Sequence, residues 1–180
     1  MKSAAEHPCS FYADDGVLAS TVATFLAPAF AARQALIAIG TPEHLAAIEE
    51  QLRSSGHDID GARASGQYMA MDAEWALQQL TAHGMPTAER FNAVLGPHIR
   101  SAAGKYGSIR AFGEIVSLLW RDGKRQAALR LEELWNEALG YHPLALVCGY
   151  NVRSFNEAAD ATGVIGIINS HTNVIVPQRP

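Results

Sequence analysis

Apolar runs alternate with amphipathic stretches along this chain. Compact apolar runs that end at glycine or polar residues are typical of buried strands. Such runs occupy residues 7–12, 35–39, 66–71, 109–112, 144–150 and, more briefly, 172–176. Apolar positions at helical spacing predict helices at residues 14–33, 42–55, 72–80, 87–103, 114–121, 124–139 and 156–170. Asp14, Thr41 and Asp72 stand where the first turn of a helix needs a capping oxygen.

Strands that alternate with helices and are apolar on both faces indicate a largely parallel sheet. We therefore expect an α/β fold, a three-layer sandwich whose mostly parallel central sheet is flanked by helices. A length of 180 residues predicts a single domain. The chain is 48% hydrophobic and 18% charged, which is the composition of a globular protein.

Charge and cysteine content narrow the functional class. The net charge is −4 and the basic residues are scattered, so we expect no nucleic-acid partner and no membrane surface as a partner. The first residues lack the apolar segment of a signal peptide, and no apolar run is long enough to span a bilayer. The two cysteines, Cys9 and Cys148, imply no disulfide framework. A cytoplasmic location is the resulting expectation.

Several standard catalytic and cofactor motifs are missing from the sequence. The loop after the first predicted strand, residues 13–16, is acidic and carries one glycine, and no G-x-x-x-x-G-K-[ST] sequence occurs. There is also no G-x-G-x-x-G, G-x-S-x-G, C-x-x-C or H-E-x-x-H. We therefore expect no cofactor, no metal and no catalytic residue, and an enzyme is the less favoured class.

Four residues are placed by this pattern at or just beyond the carboxyl ends of predicted strands: Tyr12, Arg110, Glu114 and Tyr150. Open α/β sheets usually bind ligands at that edge. An Arg/Glu pair between aromatic walls would suit a small, partly apolar ligand. The alternative is an ion pair that only fixes the turn after the strand, with the tyrosines in the core. The residues alone leave both interpretations open.

His7 and Cys9 are two positions apart in a predicted strand, so their side chains share a face. They form either a soft ligand pair, a thiolate tuned by an imidazole, or, as we favour, ordinary core packing. His171 lies at a predicted helix–strand junction and is either a cap or a pocket residue.

Three residues of the helix at 124–139 are candidates for structural support: Glu132, Trp135 and Asn136. Trp135 falls on the apolar face and is expected in the core. Glu132 and Asn136 are four apart and share a face, from which they either pin a neighbouring loop or, as we favour, face solvent.

The order and spacing of several short motifs resemble the MEDS family, the methanogen/methylotroph DcmR sensory domain. The motifs are H-x-C-x-F-Y at residues 7–12, R-A-F-G-E at 110–114, L-E-x-x-W-N at 131–136, C-x-Y at 148–150, and the late His171. The similarity covers residues 6–177 and so implies one domain there, with short tails at 1–5 and 178–180.

The resemblance implies a sheet like that of the RecA/KaiC ATPases without their phosphate-binding loop. The first strand would then lie between the fourth and fifth strands, with Tyr12, Arg110 and Tyr150 as neighbours and Cys9 near Cys148. Members of this family are regarded as sensors of hydrocarbon derivatives such as halogenated methanes, alone or fused to signalling modules.

Our first functional hypothesis is a stand-alone, non-catalytic sensory domain. It would bind a small, hydrocarbon-derived ligand or a protein partner at the carboxyl edge of the sheet. Output would pass through a signalling partner protein or through self-association as a homo-oligomer. One alternative is a KaiC-like nucleotide-binding enzyme with a degenerate phosphate loop and Glu114 as its activating carboxylate. The other is a pure protein-interaction module.

Overall fold

A parallel sheet forms the centre of this protein in a computed structural model that describes residues 6–155 and 161–176. The strands in those residues are β1 (Pro8–Tyr12), β2 (Ala35–Gly40), β3 (Tyr68–Asp72), β4 (Thr81–Ala82), β5 (Met85–Pro86), β6 (Ile109–Gly113), β7 (Leu144–Asn151) and β8 (Asn173–Ile175). Within the described residues, six strands pair in the order β3-β2-β6-β7-β1-β8, and every pairing is parallel. The short strands β4 and β5 form a separate antiparallel hairpin.

Helices cover both faces of this sheet. In the described residues they are α1 (Asp15–Leu26), α2 (Pro28–Ala31), α3 (Pro42–Ser54), α4 (Ile59–Ala64), α5 (Ala73–Leu80), α6 (Ala88–Val94), α7 (Gly96–Tyr106), α8 (Ile115–Arg121), α9 (Arg125–Tyr141) and α10 (Ala161–Ser170). Buried residues of α1 to α4 form one core with the sheet, and those of α5 to α10 form the other. The predicted α/β sandwich is therefore confirmed.

The position of the first strand differs from the expectation. We expected β1 between the fourth and fifth main strands, β6 and β7, but it lies between β7 and β8. Strand β6 is already paired on both sides, with β2 and with β7, so β1 takes the other side of β7. Strand β8 is short and largely exposed, which suits a sheet edge.

Local sequence signals account for most helix ends. The side chains of Asp14, Thr41 and Asp72 accept hydrogen bonds from the backbone of α1, α3 and α5, as expected for caps. The long helix predicted from residue 87 is instead two helices, α6 and α7, which meet at Gly96-Pro97. Proline lacks an N–H and cannot continue the first helix. Helix α7 then ends at Gly107 rather than at the expected Gly104, because Gly107 adopts a φ of +77°.

The residues before β1 form hydrogen bonds with β7 and with the turn before β8. The backbone N–H of Leu146 donates to the Glu6 carbonyl, and the Thr172 N–H donates to the carbonyl of His7 at 2.7 Å. His7 N–H returns a bond to Thr172 Oγ1 at 3.0 Å. These bonds fix the turn between α10 and β8 beside β1 and β7. The predicted start of the last helix, at 156–160, and the predicted tails at 1–5 and 178–180 lie outside the described residues; within the described residues the helix begins at Ala161.

Candidate functional site

Four side chains from distant parts of the chain converge beneath α9. His7 precedes β1, Glu132 lies in α9, Cys148 lies in β7 and His171 follows α10. One ligand-type atom from each lies within 4.8 Å of the others. The side chains of His7, Glu132 and His171 are at most 1% exposed, and Cys148 is fully buried. We call these four residues the His–Glu–Cys cluster.

The distances inside the His–Glu–Cys cluster are short. His7 Nε2 lies 3.4 Å from Cys148 Sγ and 3.4 Å from Glu132 Oε2. Cys148 Sγ lies 3.7 Å from Glu132 Oε2. His171 Nε2 lies 3.3 Å from Glu132 Oε1. The carboxylate of Glu132 is thus the centre of the arrangement, with the other three donor atoms around it.

Hydrogen bonds outside the cluster fix which nitrogen of each imidazole carries a proton. His171 Nδ1 lies 2.6 Å from the carbonyl oxygen of Ile167, which can only accept. His7 Nδ1 lies 2.9 Å from Asn136 Oδ1, while the Asn136 amide nitrogen donates to the carbonyl of Ser170. Both Nδ1 atoms are therefore donors. In the neutral rings, both Nε2 lone pairs then point toward Glu132 and Cys148.

Within the described part of the chain, one polar atom of the cluster is left unsatisfied, although His7 and Glu132 each have a hydrogen-bond contact with the Cys148 thiol. His171 Nε2 is buried and has no hydrogen-bond partner among the described residues, although Glu132 is close. Tyr150 donates a short hydrogen bond to Glu132 Oε1. A buried polar atom without a partner costs about 1 to 3 kcal/mol, so such an atom needs an explanation.

Burial and mutual charge shift the pKa values in this cluster. Burial lowers the pKa of His7, against the pull of Glu132, and the charge of His171 lowers it further. Burial also opposes charge on His171, but contact with the Glu132 carboxylate raises its pKa overall. Burial alone would raise the pKa of Glu132, whereas both histidines hold it below its usual value. The cluster therefore favours an ionised carboxylate beside at most one imidazolium.

The pKa values of both cysteine thiols are raised. Burial and the nearby Glu132 carboxylate raise the pKa of Cys9 to about 12, and they raise that of Cys148 well above its usual value. Cys9 pairs in register with Cys148, as the family resemblance implied, and packs in the core on the same face as His7. A thiolate tuned by the imidazole alone is therefore disfavoured, which weighs against that interpretation of His7 and Cys9.

A second set of polar side chains lies at the carboxyl edge of the sheet, on the face opposite the His–Glu–Cys cluster. Glu114 follows β6 and is 2% exposed. Its carboxylate accepts hydrogen bonds from the Tyr12 hydroxyl at 3.1 Å and the Thr41 N–H at 3.0 Å, and it lies 2.6 Å from His44 Nδ1. His44 Nε2 lies 3.2 Å from Asp15. We call these five residues the Glu114 network.

The Glu114 network is chemically complete. Every neighbour of the carboxylate is a donor, and His44 faces a carboxylate from each ring nitrogen. The hydrogen bond to Glu114 therefore raises the pKa of His44 despite its burial. Burial and Glu114 likewise raise the pKa of Tyr12. Tyr12 and Glu114, two of the four side chains expected to line a ligand crevice at this edge, are instead joined to each other.

Arg110 and Tyr150 do not join Tyr12 and Glu114, so the predicted crevice is corrected. Arg110 is the second residue of β6, at the opposite end of the strand from Glu114. Its guanidinium donates to the Phe25 carbonyl at 3.1 Å, lies over the Phe25 ring and is 3.5 Å from Glu6. Tyr150 lies near the carboxyl end of β7 but points to the other face, toward Glu132, because strand side chains alternate.

The predicted support residues fall into two groups. Trp135 is buried as expected and packs edge-on against Phe91. The favoured solvent-facing interpretation is wrong for Glu132, which is fully buried because α9 lies against β7 and the turn that carries His171. Asn136 is exposed, yet it binds both His7 and the Ser170 carbonyl, which is the loop-pinning role left open above.

Sequence reasoning missed Cys148 and His44 as site residues. Cys148 precedes Tyr150 by two positions in a strand, so their shared face was a usable signal. His44 follows the Thr41 cap within the first turn of α3 and thus sits at the carboxyl edge of β2. His171 contacts the C-terminal turn of α10, which fits the cap interpretation, and its ring also faces the cluster; its role as a pocket residue stays a prediction.

The fold and the cluster define an α/β sandwich protein with a buried site of mixed nitrogen, oxygen and sulfur atoms. The family profile of the MEDS domain, the methanogen/methylotroph DcmR sensory domain, matches residues 6–172. The chain belongs to this sensory domain family. A comparison with curated proteins returned no match. Among the described residues, no helix is both long and apolar enough to cross a membrane.

Proposed function

We propose that the chain detects its ligand at the His–Glu–Cys cluster and transmits binding through the unit formed by α10 and β8. The main support for this proposal is that the four side chains come from different parts of the fold. His7, Glu132 and Cys148 come from the segment before β1, from α9 and from β7, whereas His171 comes from the edge of the molecule. A ligand that binds all four side chains would join that edge unit to the core.

The α10–β8 unit is suited to respond because the polar contacts that hold it within the described residues lie at its connecting turn and its strand. Asn136 donates to the Ser170 carbonyl, Thr172 exchanges two hydrogen bonds with His7, and β8 pairs with β1 over three residues. On its outer side, Ile165 is 59% exposed and Ile168 is 42% exposed. Weakly held edge elements open at low free-energy cost. A ligand that prefers the docked state would shift this population and so change the surface that a signalling partner reads.

Four protein side chains around one point leave little room for a substrate to react, which supports a non-catalytic role. The carboxyl edge supports it as well, since the Glu114 network occupies the place where a nucleotide or organic ligand would bind. That same filled edge favours a second candidate function, a pure protein-interaction module. In that case the cluster would serve stability alone.

The proposal is tested by combining thermal unfolding with hydrogen exchange. A panel of divalent metals, halogenated methanes and ATP is screened for an increase in the unfolding midpoint, because a ligand selective for the native state stabilises it by mass action. The compound that stabilises the protein is then used while amide exchange is followed in α10 and β8. We expect slower exchange in these two elements.

Two variants make the result specific. His171→Ala removes one cluster side chain, and His98→Ala, on the exposed side of α7, is the matched control. The stabilising compound should lose its effect on His171→Ala and keep it on His98→Ala. A compound that stabilises both variants equally binds elsewhere and contradicts the proposal. Stabilisation without a change in α10–β8 exchange also contradicts it, because binding would then not reach the edge unit.

A further inference from the structure

The spacing of the donor atoms in the His–Glu–Cys cluster is close to that of a tetrahedral metal site. Zinc bonds of about 2.0 Å to nitrogen or oxygen and about 2.3 Å to sulfur place neighbouring ligand atoms about 3.3 to 3.5 Å apart when one of the four is sulfur. The four distances given above run from 3.3 to 3.7 Å, with Oε1 of Glu132 used for His171 and Oε2 for His7 and Cys148. One donor atom from each residue lies within 4.8 Å of the other three. Small shifts of the side chains would therefore place all four donor atoms around one ion.

We propose that the His–Glu–Cys cluster binds a zinc ion and that this ion is the ligand whose binding docks the α10–β8 unit. The inference rests on the proposed function, because it names the ligand of the same site. Two imidazoles, one thiolate and one carboxylate form a mixed set that suits zinc. Calcium and magnesium prefer oxygen ligands alone and do not suit a set with sulfur and two nitrogens.

The hydrogen bonds around the cluster are those that hold metal-binding histidines in place. Such histidines usually donate the proton of the second ring nitrogen to a carbonyl or similar oxygen, which directs the other nitrogen to the metal. His171 donates in this way to Ile167, and His7 to Asn136. Tyr150 orients the Glu132 carboxylate through its hydroxyl. Each of three ligands therefore has a supporting partner.

Protonation of His7 and His171 cannot replace a metal ion at this position. The rings of His7 and His171 have centroids 4.2 Å apart, so two imidazolium charges would repel each other strongly. With only one of them charged, the other ring still directs a lone pair toward the carboxylate. A divalent cation satisfies both lone pairs, the carboxylate and the sulfur together. It also favours the thiolate form of Cys148, which burial and Glu132 otherwise oppose.

The decisive experiment uses the full chain, first freed of metal with a chelator. Zn²⁺ is titrated with a competing chelator, and Co²⁺ is added in parallel as a spectroscopic probe. We expect one equivalent of either ion, with the strong visible absorption of tetrahedral Co²⁺ and a cobalt–thiolate charge-transfer band. His171→Ala should weaken Zn²⁺ binding by at least about a hundredfold. Cys148→Ala should remove the charge-transfer band.

The neighbouring cysteine supplies the matched control. Cys9→Ala alters a buried thiol on the same face and in register with Cys148, but Cys9 is outside the cluster. It should retain both the stoichiometry and the charge-transfer band. If the wild type shows no thiolate band, or if His171→Ala binds Zn²⁺ as tightly as Cys9→Ala does, the zinc site is overturned.

Hydrogen exchange separates this inference from the proposed function. If one equivalent of Zn²⁺ binds at the cluster and slows exchange in α10 and β8, both are supported. If it binds and exchange there is unchanged, the ion is structural, and its role as the sensed ligand is overturned. If a halogenated methane slows exchange in the metal-free chain and Zn²⁺ does not bind, the sensory proposal stands and the zinc site is overturned.

Discussion

Two buried glutamates, one on each face of the sheet, have opposite surroundings. Glu114 and Glu132 are 2% and 0% exposed, and each accepts a hydrogen bond from a tyrosine hydroxyl. Around Glu114 the remaining neighbours are the Thr41 N–H and His44. Around Glu132 they are a sulfur atom and the Nε2 atoms of two histidines whose protons are directed elsewhere.

The comparison shows that burial of a carboxylate does not by itself mark a binding site. The Glu114 network pairs every polar atom and so joins β1, β6 and α3 at the carboxyl edge. The His–Glu–Cys cluster offers the Cys148 thiol as its donor to Glu132 and leaves His171 Nε2 without a partner in the described residues. Completed networks stabilise a fold, whereas an unpaired buried polar atom needs an explanation such as strain, a bound water, an ion or a catalytic role.

The largest expected effect comes from the same substitution at both glutamates. Glu114→Gln places an amide NH₂ against groups that are themselves donors, so it should lower the free energy of unfolding by about 3 kcal/mol. Glu132→Gln keeps the acceptor for Tyr150 and offers a proton to His7 Nε2. Its cost should stay below about 1 kcal/mol in metal-free protein at a pH above the raised pKa of His171, where both imidazoles are neutral. Urea unfolding of both variants measures the difference.

If Glu114→Gln and Glu132→Gln lower the free energy of unfolding equally, the proposed difference between the two glutamates is refuted. Circular dichroism of each folded variant is the control, since it shows that the sheet and helices are retained.

A smaller effect is expected where α10 packs on the core. A Cβ at Gly163 would lie 2.4 Å from the Trp120 ring, so Gly163→Ala should displace α10 and cost about 1 to 3 kcal/mol. Because His171 follows α10, the variant should also weaken Zn²⁺ binding. Gly166→Ala is the matched control on the same helix, since its Cβ would meet only the flexible end of Leu129 at 3.3 Å. Unfolding and zinc titration are compared, and equal behaviour of the two variants would refute this coupling.

The smallest effect is a pH dependence of the Glu114 network. The pKa of His44 is raised in the folded protein, so protonated His44 stabilises the fold below the ordinary histidine pKa of about 6.5. This contribution is lost as the pH rises through the raised value. His44→Gln should therefore destabilise the protein by about 1 kcal/mol in acid and by less at alkaline pH.

The charged and titratable groups that face His44 are Glu114, Asp15 and Tyr12. Unfolding is measured against pH in the wild-type and Glu114→Gln backgrounds. The pH-dependent effect of His44→Gln on the free energy of unfolding should be smaller in the Glu114→Gln background. An equal pH dependence in both backgrounds would contradict a stabilising role of the His44–Glu114 contact.

The sequence predicted the layers of the fold better than the neighbours of its polar residues. Apolar runs locate the main strands, and capping residues such as Asp14 and Thr41 locate helix starts within a residue or two. Side-chain alternation also placed His7 and Cys9 on one face. These features depend on short stretches of chain, which is why they can be derived without the structure.

The candidate site depends on strand order and register, which local patterns do not contain. Cys148 and His7 come together because β1 pairs with β7, and His171 joins them because β1 also pairs with the edge strand β8. The expectation for Arg110 was wrong because Arg110 is the second residue of β6 and so lies at the amino end of the strand, as the predicted bounds of 109–112 already implied. Glu132 was expected in solvent because helical spacing shows a face but not what covers it.

The meeting of His7 with Thr172 has a consequence for the order in which this protein folds. The two residues are 165 positions apart, and the hydrogen bonds between them border the cluster. Contacts so distant in sequence form slowly, because much chain entropy is lost before they close. During synthesis the sheet can pair from β1 to β7 while His171 is still inside the ribosome. The site is therefore expected to be the last part of the domain to assemble, and a chain truncated before α10 would lack it.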